Sequence, residues 1–213
     1  MVGPSSSHTA GACKIGQFAR AFFNKTPRKV TFYLHGSFGK VFKGHATDKA
    51  LLAGVLKFQT GDPNIMNSFE VAKERGIDYK FVVKNLGGKY HPNTVKIVLE
   101  TPKKRMSVIG SSIGGGMIEI VKIDNFDVLI KGQAGRYLSL VIMHDKKLNI
   151  VSKIVPRIRK LGNKVAEIEA TIYKDKALSV LSLETPITLK EVVKLEKTKG
   201  VDFIRALSKL QKQ

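Results

Sequence analysis

The strongest constraint on the fold lies in the last eighty residues, where strand and helix patterns follow the order β, α, β, β, α, β. The strand patterns lie at residues 137–143, 165–173, 178–183 and 201–206, and the helical patterns at about 150–161 and 189–196. Pro156 lies inside the first helical pattern and weakens it. This order is that of the ferredoxin-like motif, in which two helices cover one face of an antiparallel four-stranded sheet. The sequence therefore predicts such a domain over residues 133–213.

The preceding residues show a different order, which indicates a second domain. Apolar residues recur at helical spacing over residues 7–23, after three serines able to cap a helix. A β-rich segment at 30–34, a helical pattern at 47–56 and a short helix near 69–75 follow. Closely spaced strand patterns, predicted to be antiparallel, complete the domain. They lie at residues 79–83, 95–100, 106–111, 118–123 and 128–130.

A polar, glycine-bearing stretch at residues 131–135 separates the two patterns, and domain boundaries favour such stretches. We therefore predict an α+β protein with a first domain of mixed sheet and helices at 1–132 and a second domain at 133–213.

The net charge of +20 raises the question of nucleic acid as a partner. Residues 1–132 carry 20 Lys and Arg against 9 Asp and Glu, and residues 133–213 carry 17 against 8, so the positive excess is evenly spread. Tryptophan is absent, and no aromatic-rich strand resembles an RNA-reading surface. The composition favours a lysine-rich solvated surface over a nucleic-acid partner.

Cys13 is the single cysteine of the chain. It excludes an internal disulfide, and it excludes a thiolate-ligated cluster built by this chain alone, since such clusters use three or four cysteines. No apolar run approaches the roughly 20 residues of a membrane helix, and no signal peptide is evident. We therefore expect a cytoplasmic protein with no membrane partner.

Three of the five histidines lie at the ends of predicted elements. His8 follows three serines at a helix start, His45 precedes Thr47 and Asp48 at a second helix start, and His35 ends a strand. The carboxyl ends of strands and the amino ends of helices share one edge of an α/β layer, so these imidazoles are candidates to converge. A helix amino end disfavours a protonated imidazole and attracts a carboxylate, which suits a general base beside an amino acid.

The alternative is that the serines merely cap a helix and that the histidines make structural hydrogen bonds, and spacing alone favours it. His91 and His144 are isolated in the sequence and are interpreted as structural or surface residues. The glycine-rich stretches at residues 36–40 and 110–116 match neither a Walker loop nor a Rossmann fingerprint. The second predicts either a contact with a small ligand or a turn between strands.

Two stretches carry a resemblance to a known family. Residues 3–12 (GPSSSHTAGA) and 44–50 (GHATDKA) resemble the signature stretches of β subunits of bacterial iron-sulfur-dependent L-serine dehydratases. The layout of the chain also resembles that family, with a domain like the allosteric substrate-binding domain of some phosphoglycerate dehydrogenases followed by an ACT domain. The resemblance covers essentially the whole chain.

The resemblance implies a lyase that removes water and then ammonia from L-serine to leave pyruvate, without pyridoxal phosphate. It implies an α subunit as partner, whose cysteines hold a [4Fe-4S] cluster that acts as a Lewis acid on the serine hydroxyl. It also implies a heterodimer in amino-acid metabolism and gluconeogenesis, with L-serine as substrate or effector, and it allows homodimerisation.

Carried over by motif, His8 and His45 are the candidate catalytic residues, and no metal ligand is expected in this chain. The residues expected to line the substrate are Ser5, Ser6, Ser7 and Thr9. The β chain is either a participant in catalysis or a regulatory module that senses an amino acid, and the sequence leaves both open.

Three departures from the family pattern bear on these expectations. The chain begins at Met1, later than is usual in the family, which suggests a truncated start or an upstream start codon. Ala46 stands where the family often has glycine, at a turn. Leu148 stands where amino-acid-binding ACT domains often have glycine, so effector binding there is not expected.

Overall fold

The computed structural model describes residues 7–131 and 138–207, which form two compact units, Met1–Asp124 and Asn125–Gln213. The predicted boundary between residues 132 and 133 lies outside the described residues. The first unit combines helices with a mixed sheet, and the second combines helices with an antiparallel sheet. The predicted α+β class is therefore confirmed. In the part of the chain that the structure describes, no helix has both the length and the hydrophobicity needed to cross a membrane.

The first unit opens with a π-helical turn, Ser7–Gly11, that leads directly into the first helix. Its α-helices are α1 (Ala12–Phe23), α2 (Gly36–Val41), α3 (Thr47–Val55) and α4 (Ser68–Glu74). A short 3-10 helix, Pro63–Asn67, precedes α4. Its strands are β1 (Lys29–Leu34), β2 (Asp78–Val83), β3 (Thr94–Thr101), β4 (Lys104–Gly114) and β5 (Met117–Ile123).

Within this unit the strands follow the order β2-β1-β3-β4-β5. β3, β4 and β5 are antiparallel to their neighbours, as their spacing predicts. β2 differs, because it pairs in parallel with β1 and places Phe81 beside Phe32. Three α-helices and the short 3-10 helix lie between β1 and β2 in the chain, and such a crossover is what a parallel pair requires.

The sheet is covered by α1, whose apolar face packs onto β3 and β4. Ile15, Phe18 and Phe22 are fully buried on this face, as the helical spacing predicts. α1 crosses α3 at two glycines, Gly16 and Gly54, where the two backbones lie in direct contact. This crossing fixes α3 against α1, and thereby fixes the turns that precede both helices.

The second unit contains one strand more than the predicted motif. Its strands are β6 (Phe126–Lys131), β7 (Leu138–Asp145), β8 (Val165–Tyr173), β9 (Lys176–Leu183) and β10 (Val201–Ala206). Its helices are α5 (Ile150–Lys153), α6 (Val155–Lys160) and α7 (Leu189–Glu196). Four strands form an antiparallel sheet in the ferredoxin-like order β10-β7-β9-β8.

The helix expected at residues 150–161 is two short helices, because Pro156 has no N–H to continue a helix and stands instead in the first turn of α6. β6 lies against β8, where the Thr171 hydroxyl donates to the Asp127 carbonyl over 2.6 Å. α7 begins with a capping box between Thr188 and Glu191.

The helices of the second unit cover one face of its sheet and enclose a continuous apolar core. The core residues include Leu140, Ile142, Ile154, Ile158, Leu181, Leu183, Val192, Leu195 and Ile204. His144, only 3% exposed, hydrogen-bonds to the Ser179 hydroxyl through Nε2 and to the Asp145 carbonyl through Nδ1, both over 2.8 Å. It is a structural residue of this unit.

Candidate functional site

Two of the three candidate histidines come together at the amino ends of the helices in the first unit. His8 lies in the π-helical turn ahead of α1, and His45 lies in the turn that precedes α3. Their ring centroids are 5.1 Å apart, with the planes tilted by 35°. The packing of α1 against α3 holds these two turns side by side. The two imidazoles therefore form one cluster, which we call the histidine pair.

A serine that the motifs did not single out contacts His8. The Nε2 atom of His8 lies 3.1 Å from the Ser37 hydroxyl, at the start of α2. The ring of the buried Phe38 meets the His8 ring edge to face, with centroids 5.5 Å apart. One polar and one apolar side chain of α2 thus contact the His8 imidazole.

Burial and a neighbouring charge shift the pKa of His8 in the same direction. Partial burial lowers the pKa of His8 below its ordinary value, and the neighbouring charge of His45 lowers it further. The imidazole is therefore neutral at pH 7, and a neutral imidazole can accept a proton.

The remaining predicted site residues are placed as follows. Thr9 lies within the same turn and its hydroxyl donates to the His45 carbonyl over 3.4 Å, which ties the two turns to each other. Ser7 is half-buried at the first position of the π-helical turn. Ser5 and Ser6 lie outside the described residues.

A glycine turn closes one side of this region. Gly114, Gly115 and Gly116 all have positive φ and connect β4 to β5. Lys14 of α1 donates to the Gly116 carbonyl over 2.9 Å, and Gly116 approaches Ala10 of the π-helical turn. The second glycine-rich stretch is thus a turn between strands, which lies against the segment that carries His8.

The turn before α3 contains a strained residue. Ala46 has φ 53° and ψ 29°, a left-handed conformation that glycine adopts with little strain and alanine does not. α3 begins at Thr47, so Ala46, and not Thr47 or Asp48, holds the N-cap position. The glycine expected at this position by family resemblance has a physical reason in this backbone angle.

We expect Ala46→Gly to raise the free energy of unfolding by about 1 kcal/mol, because it removes the left-handed strain of a residue with a Cβ atom. Urea unfolding followed by circular dichroism measures the change. Ala170→Gly, in the regularly paired part of β8, is the control and should lower the stability instead. Equal destabilisation by both substitutions would contradict the assignment of strain to Ala46.

The side chain of His35 contacts residues of the segment 84–93. Its Nδ1 atom accepts a hydrogen bond from the Leu86 amide over 3.1 Å, and its ring meets Tyr90 with centroids 6.5 Å apart. The expected convergence therefore holds for His8 and His45, whereas these contacts give His35 a structural role. His91 is exposed, and its Nδ1 accepts from the Asn93 amide over 3.1 Å.

Cys13 lies on α1 and is fully buried. Burial raises the pKa of its thiol to about 12, with a further contribution from the charge of Asp62. Within residues 7–131 and 138–207, no group of three or more His, Cys, Asp or Glu side chains is placed to hold a metal ion. The described residues of this chain therefore do not fit an iron-sulfur cluster.

We expect Cys13 to react with iodoacetamide at least roughly 100-fold more slowly in the native chain than in 6 M urea at pH 8, because the thiol is buried and protonated. Mass spectrometry of the alkylated chain measures both rates. Equal rates would show that the thiol is exposed and would contradict its place in the core.

The sequence analysis did not predict Ser37 as a site residue, because it interpreted residues 36–40 only as a glycine-rich stretch. The structure shows that they form most of α2, a helix that follows β1 after the single residue His35. A serine one residue after the start of a helix, at the carboxyl end of a strand, is the available signal, since that edge of the layer gathers helix starts.

The chain is similar to proteins of one family. The family model described as "Serine dehydratase beta chain" matches residues 1–80. The "L-serine dehydratase, beta chain" of Peptoniphilus asaccharolyticus is 46% identical over 155 residues, which are 72% of this chain and 68% of that protein. The "Probable L-serine dehydratase, beta chain" of Bacillus subtilis (strain 168) is 33% identical over 205 residues, which are 96% of this chain and 91% of that protein. Both sequence signatures lie within the matched residues 1–80.

Proposed function

Because the chain belongs to the family of L-serine dehydratase β chains, we propose that it completes an L-serine ammonia-lyase together with an α subunit, and that its histidine pair faces the substrate. The observation that carries this proposal is the contact between His8 and His45 at 5.1 Å, because it unites the two signature stretches in one place. The enzyme converts L-serine to pyruvate and ammonia, a step in amino-acid metabolism that can feed gluconeogenesis.

The residues present support a division of labour between the two chains. The described side chains offer no ligand set for a metal cluster, and the single cysteine is buried in the core. We therefore assign the [4Fe-4S] cluster to the α subunit. What remains for this chain is to bind the amino acid and to move a proton.

His8 is the base in this proposal. Its lowered pKa leaves a neutral imidazole at pH 7, which can accept the α-proton of L-serine as the Cα–H bond breaks. The electron pair of that bond becomes the Cα–Cβ double bond of the enamine as the Cβ–O bond breaks, and the hydroxyl leaves with the electrons of that bond and takes up a proton to form water. The enamine becomes the imine, which water hydrolyses to pyruvate and ammonia. His45 faces the same region, with its ring centroid 5.1 Å from that of His8.

The amino acid would approach the helix starts that surround the histidine pair. Thr9 and Ser7 are half-buried hydroxyl-bearing residues on the same turn as His8, and Lys14 brings a positive charge to the adjacent glycine turn. A carboxylate is attracted by both features. We propose that this edge of the first unit binds the carboxylate of serine and orients its α-proton toward His8.

We assign the second unit to the ACT class on its ferredoxin-like strand order and do not assign it an effector. Asp145, at the carboxyl end of β7, is bound to Lys176 over 2.7 Å, and Lys176 also binds Asp202 over 2.9 Å. Because the carboxylate is already paired, it has less capacity to hold the amino group of a bound amino acid. This pairing supports a catalytic role for the chain over a purely sensing role.

The test is coexpression with the α subunit of the same organism, followed by purification under anaerobic conditions. We expect a stable complex that forms pyruvate and ammonia in equal amounts when L-serine is added. Pyruvate is measured by coupling to lactate dehydrogenase. A purified complex that holds its cluster and forms no pyruvate would contradict the proposed function.

A further inference from the structure

His35 joins the carboxyl end of β1 to the middle of the segment 84–93. The Nδ1 atom of its half-buried ring lies 3.1 Å from the Leu86 amide nitrogen. A backbone N–H can only donate, so Nδ1 must accept this hydrogen bond and carry no proton. The contact therefore requires a neutral His35 imidazole whose single proton is on Nε2.

The middle of the segment has room to move away from the sheet. Gly87 and Gly88 face open space, since no atom lies within 4 Å of the Cβ position of either residue. The Tyr90 amide donates to the Gly87 carbonyl over 3.3 Å, which is a bond within the segment. The contacts with the His35 ring, by contrast, tie Leu86 and Tyr90 to the end of β1.

The elements that contact His35 bring positive charge rather than carboxylates. Neither α2 nor the segment 84–93 contains Asp or Glu. The charged residues of these two elements and of the adjoining end of β3 are Lys40, Lys84, Lys89 and Lys96. The titratable neighbours are Tyr90 in ring contact, His91 of the same segment, and His8, which contacts α2. A proton taken up by His35 would gain no carboxylate partner from these elements.

The segment also supports the helix that contacts the histidine pair. The Phe38 amide donates to the Pro92 carbonyl over 3.4 Å. Gly36 packs against Pro92 so closely that a Cβ atom at Gly36 would lie 2.6 Å from the same carbonyl oxygen. Ser37 and Phe38 are the α2 residues that contact His8. A displacement of the segment would therefore reach the candidate site through α2.

We propose that His35 is a pH-sensitive switch, which holds the segment 84–93 against the end of β1 while its imidazole is neutral and releases the segment when Nδ1 takes up a proton. A protonated Nδ1 is a donor, and it would face the Leu86 N–H, which is also a donor. The closed segment is thus favoured above the pH at which the imidazole takes up its proton, and the released segment below it. The switch does not depend on the proposed function, because every contact lies within this chain.

Amide hydrogen exchange, followed by nuclear magnetic resonance on the full chain, tests the switch. We expect the protection factor of the Leu86 amide to fall at least roughly tenfold between about pH 8 and about pH 5.5. The Phe38 amide should lose protection over the same range, because α2 loosens with the segment. The Ile97 amide, in the central strand β3, is the reference for global unfolding. With ¹⁵N-labelled histidine, His35 should show a protonated Nε2 and an unprotonated Nδ1 at the higher pH.

Two substitutions of His35 should fix the segment in opposite states. In His35→Asn, the amide oxygen stands in the place of Nδ1 and accepts from Leu86 at every pH, so the protection of Leu86 should no longer fall on acidification. In His35→Phe, the ring is kept and the acceptor is lost, so the protection should be low at every pH. The asparagine variant carries the test should the phenylalanine variant fold poorly.

His91→Asn is the matched control. Nδ1 of His91 accepts from the Asn93 amide over 3.1 Å, but this bond joins residues two apart in the same segment. The control should therefore keep the pH response of Leu86 that the wild-type chain shows.

The switch and the proposed function fail in different ways. Constant protection of Leu86 in the wild-type chain while His35 takes up its proton would overturn the switch, and so would an unchanged acid loss of protection in His35→Asn. Neither result touches the assembly with an α subunit. A wild-type complex that forms no pyruvate removes the proposed function and leaves the exchange behaviour of this chain as evidence for the switch.

Discussion

Gly54→Ala is expected to lower the free energy of unfolding of the first unit by at least about 2 kcal/mol, although alanine favours helices more than glycine does. A Cβ atom at this position would lie 2.1 Å from the Cys13 carbonyl oxygen and 2.8 Å from the Gln17 amide nitrogen. Both are backbone atoms of α1, so no side chain can rotate away. The two helices must separate, and the contact that orients the histidine pair is lost with them.

Urea unfolding followed by circular dichroism measures this loss. Gly61→Ala is the matched control, because no atom lies within 4 Å of the Cβ position at Gly61 and its φ is not positive. We expect the control to retain wild-type stability. If both variants unfolded at the same urea concentration, the helices would not be in backbone contact, and the account of the crossing would be wrong.

His8→Ala is expected to lower kcat for pyruvate formation by about 100- to 10,000-fold in the assembled enzyme, which is the usual range for loss of a general base. His45→Ala should produce a smaller loss, since His45 contacts His8 rather than accepting the proton. His91→Ala, at an exposed histidine of the same unit, is the control and should leave kcat unchanged. Steady-state kinetics with the lactate dehydrogenase coupling assay measures all three.

We expect both the rate of pyruvate formation and the stability of the chain to fall at acid pH. Burial and the charge of His45 lower the pKa of His8 in the folded chain, so the base stays neutral above this lowered pKa and the rate is flat there. The rate falls as the pH drops through the lowered pKa, because the imidazolium ion cannot accept a proton. The stability falls as the pH drops from the ordinary histidine pKa to the lowered one, since over that range the unfolded chain binds the proton more readily than the folded chain.

The competing role for this chain is purely regulatory, and the same variants separate the two. If His8→Ala and His45→Ala keep the wild-type kcat but alter the cooperativity toward serine, the histidine pair is a sensor of the amino acid. A loss of kcat with unaltered cooperativity establishes it as part of the catalytic site.

The sequence was sufficient to predict the second unit almost element by element. Sequence patterns place β8, α7 and β10 within a residue or two. α7 follows its helical pattern and buries Val192 and Leu195, whereas β8 is largely exposed and is recognised by its β-rich sequence. The exception is the helix around Pro156, where a missing N–H divides one apolar pattern into two helices. β6 was expected as a strand at residues 128–130 and extends over Phe126–Lys131.

Only part of the candidate site could be predicted from the sequence. His8 and His45 were identified by their position at helix starts, which local sequence can indicate. Ser37 was not, because its role depends on the position of α2 against Pro92, a contact between residues more than fifty apart in the chain. Gly54 could not be predicted for the same reason. The sequence does not show that the backbone of another helix, α1, packs directly against this glycine.

The central claim is that this chain supplies the base to an enzyme whose cluster lies on another chain, and titration tests it most directly. Purified α subunit with its cluster intact is mixed with increasing amounts of this chain, and pyruvate formation from L-serine is recorded at each ratio. We expect no activity from either chain alone and a rise in rate that reaches a plateau once this chain is present in stoichiometric amount. Full activity of the α subunit alone would contradict the claim.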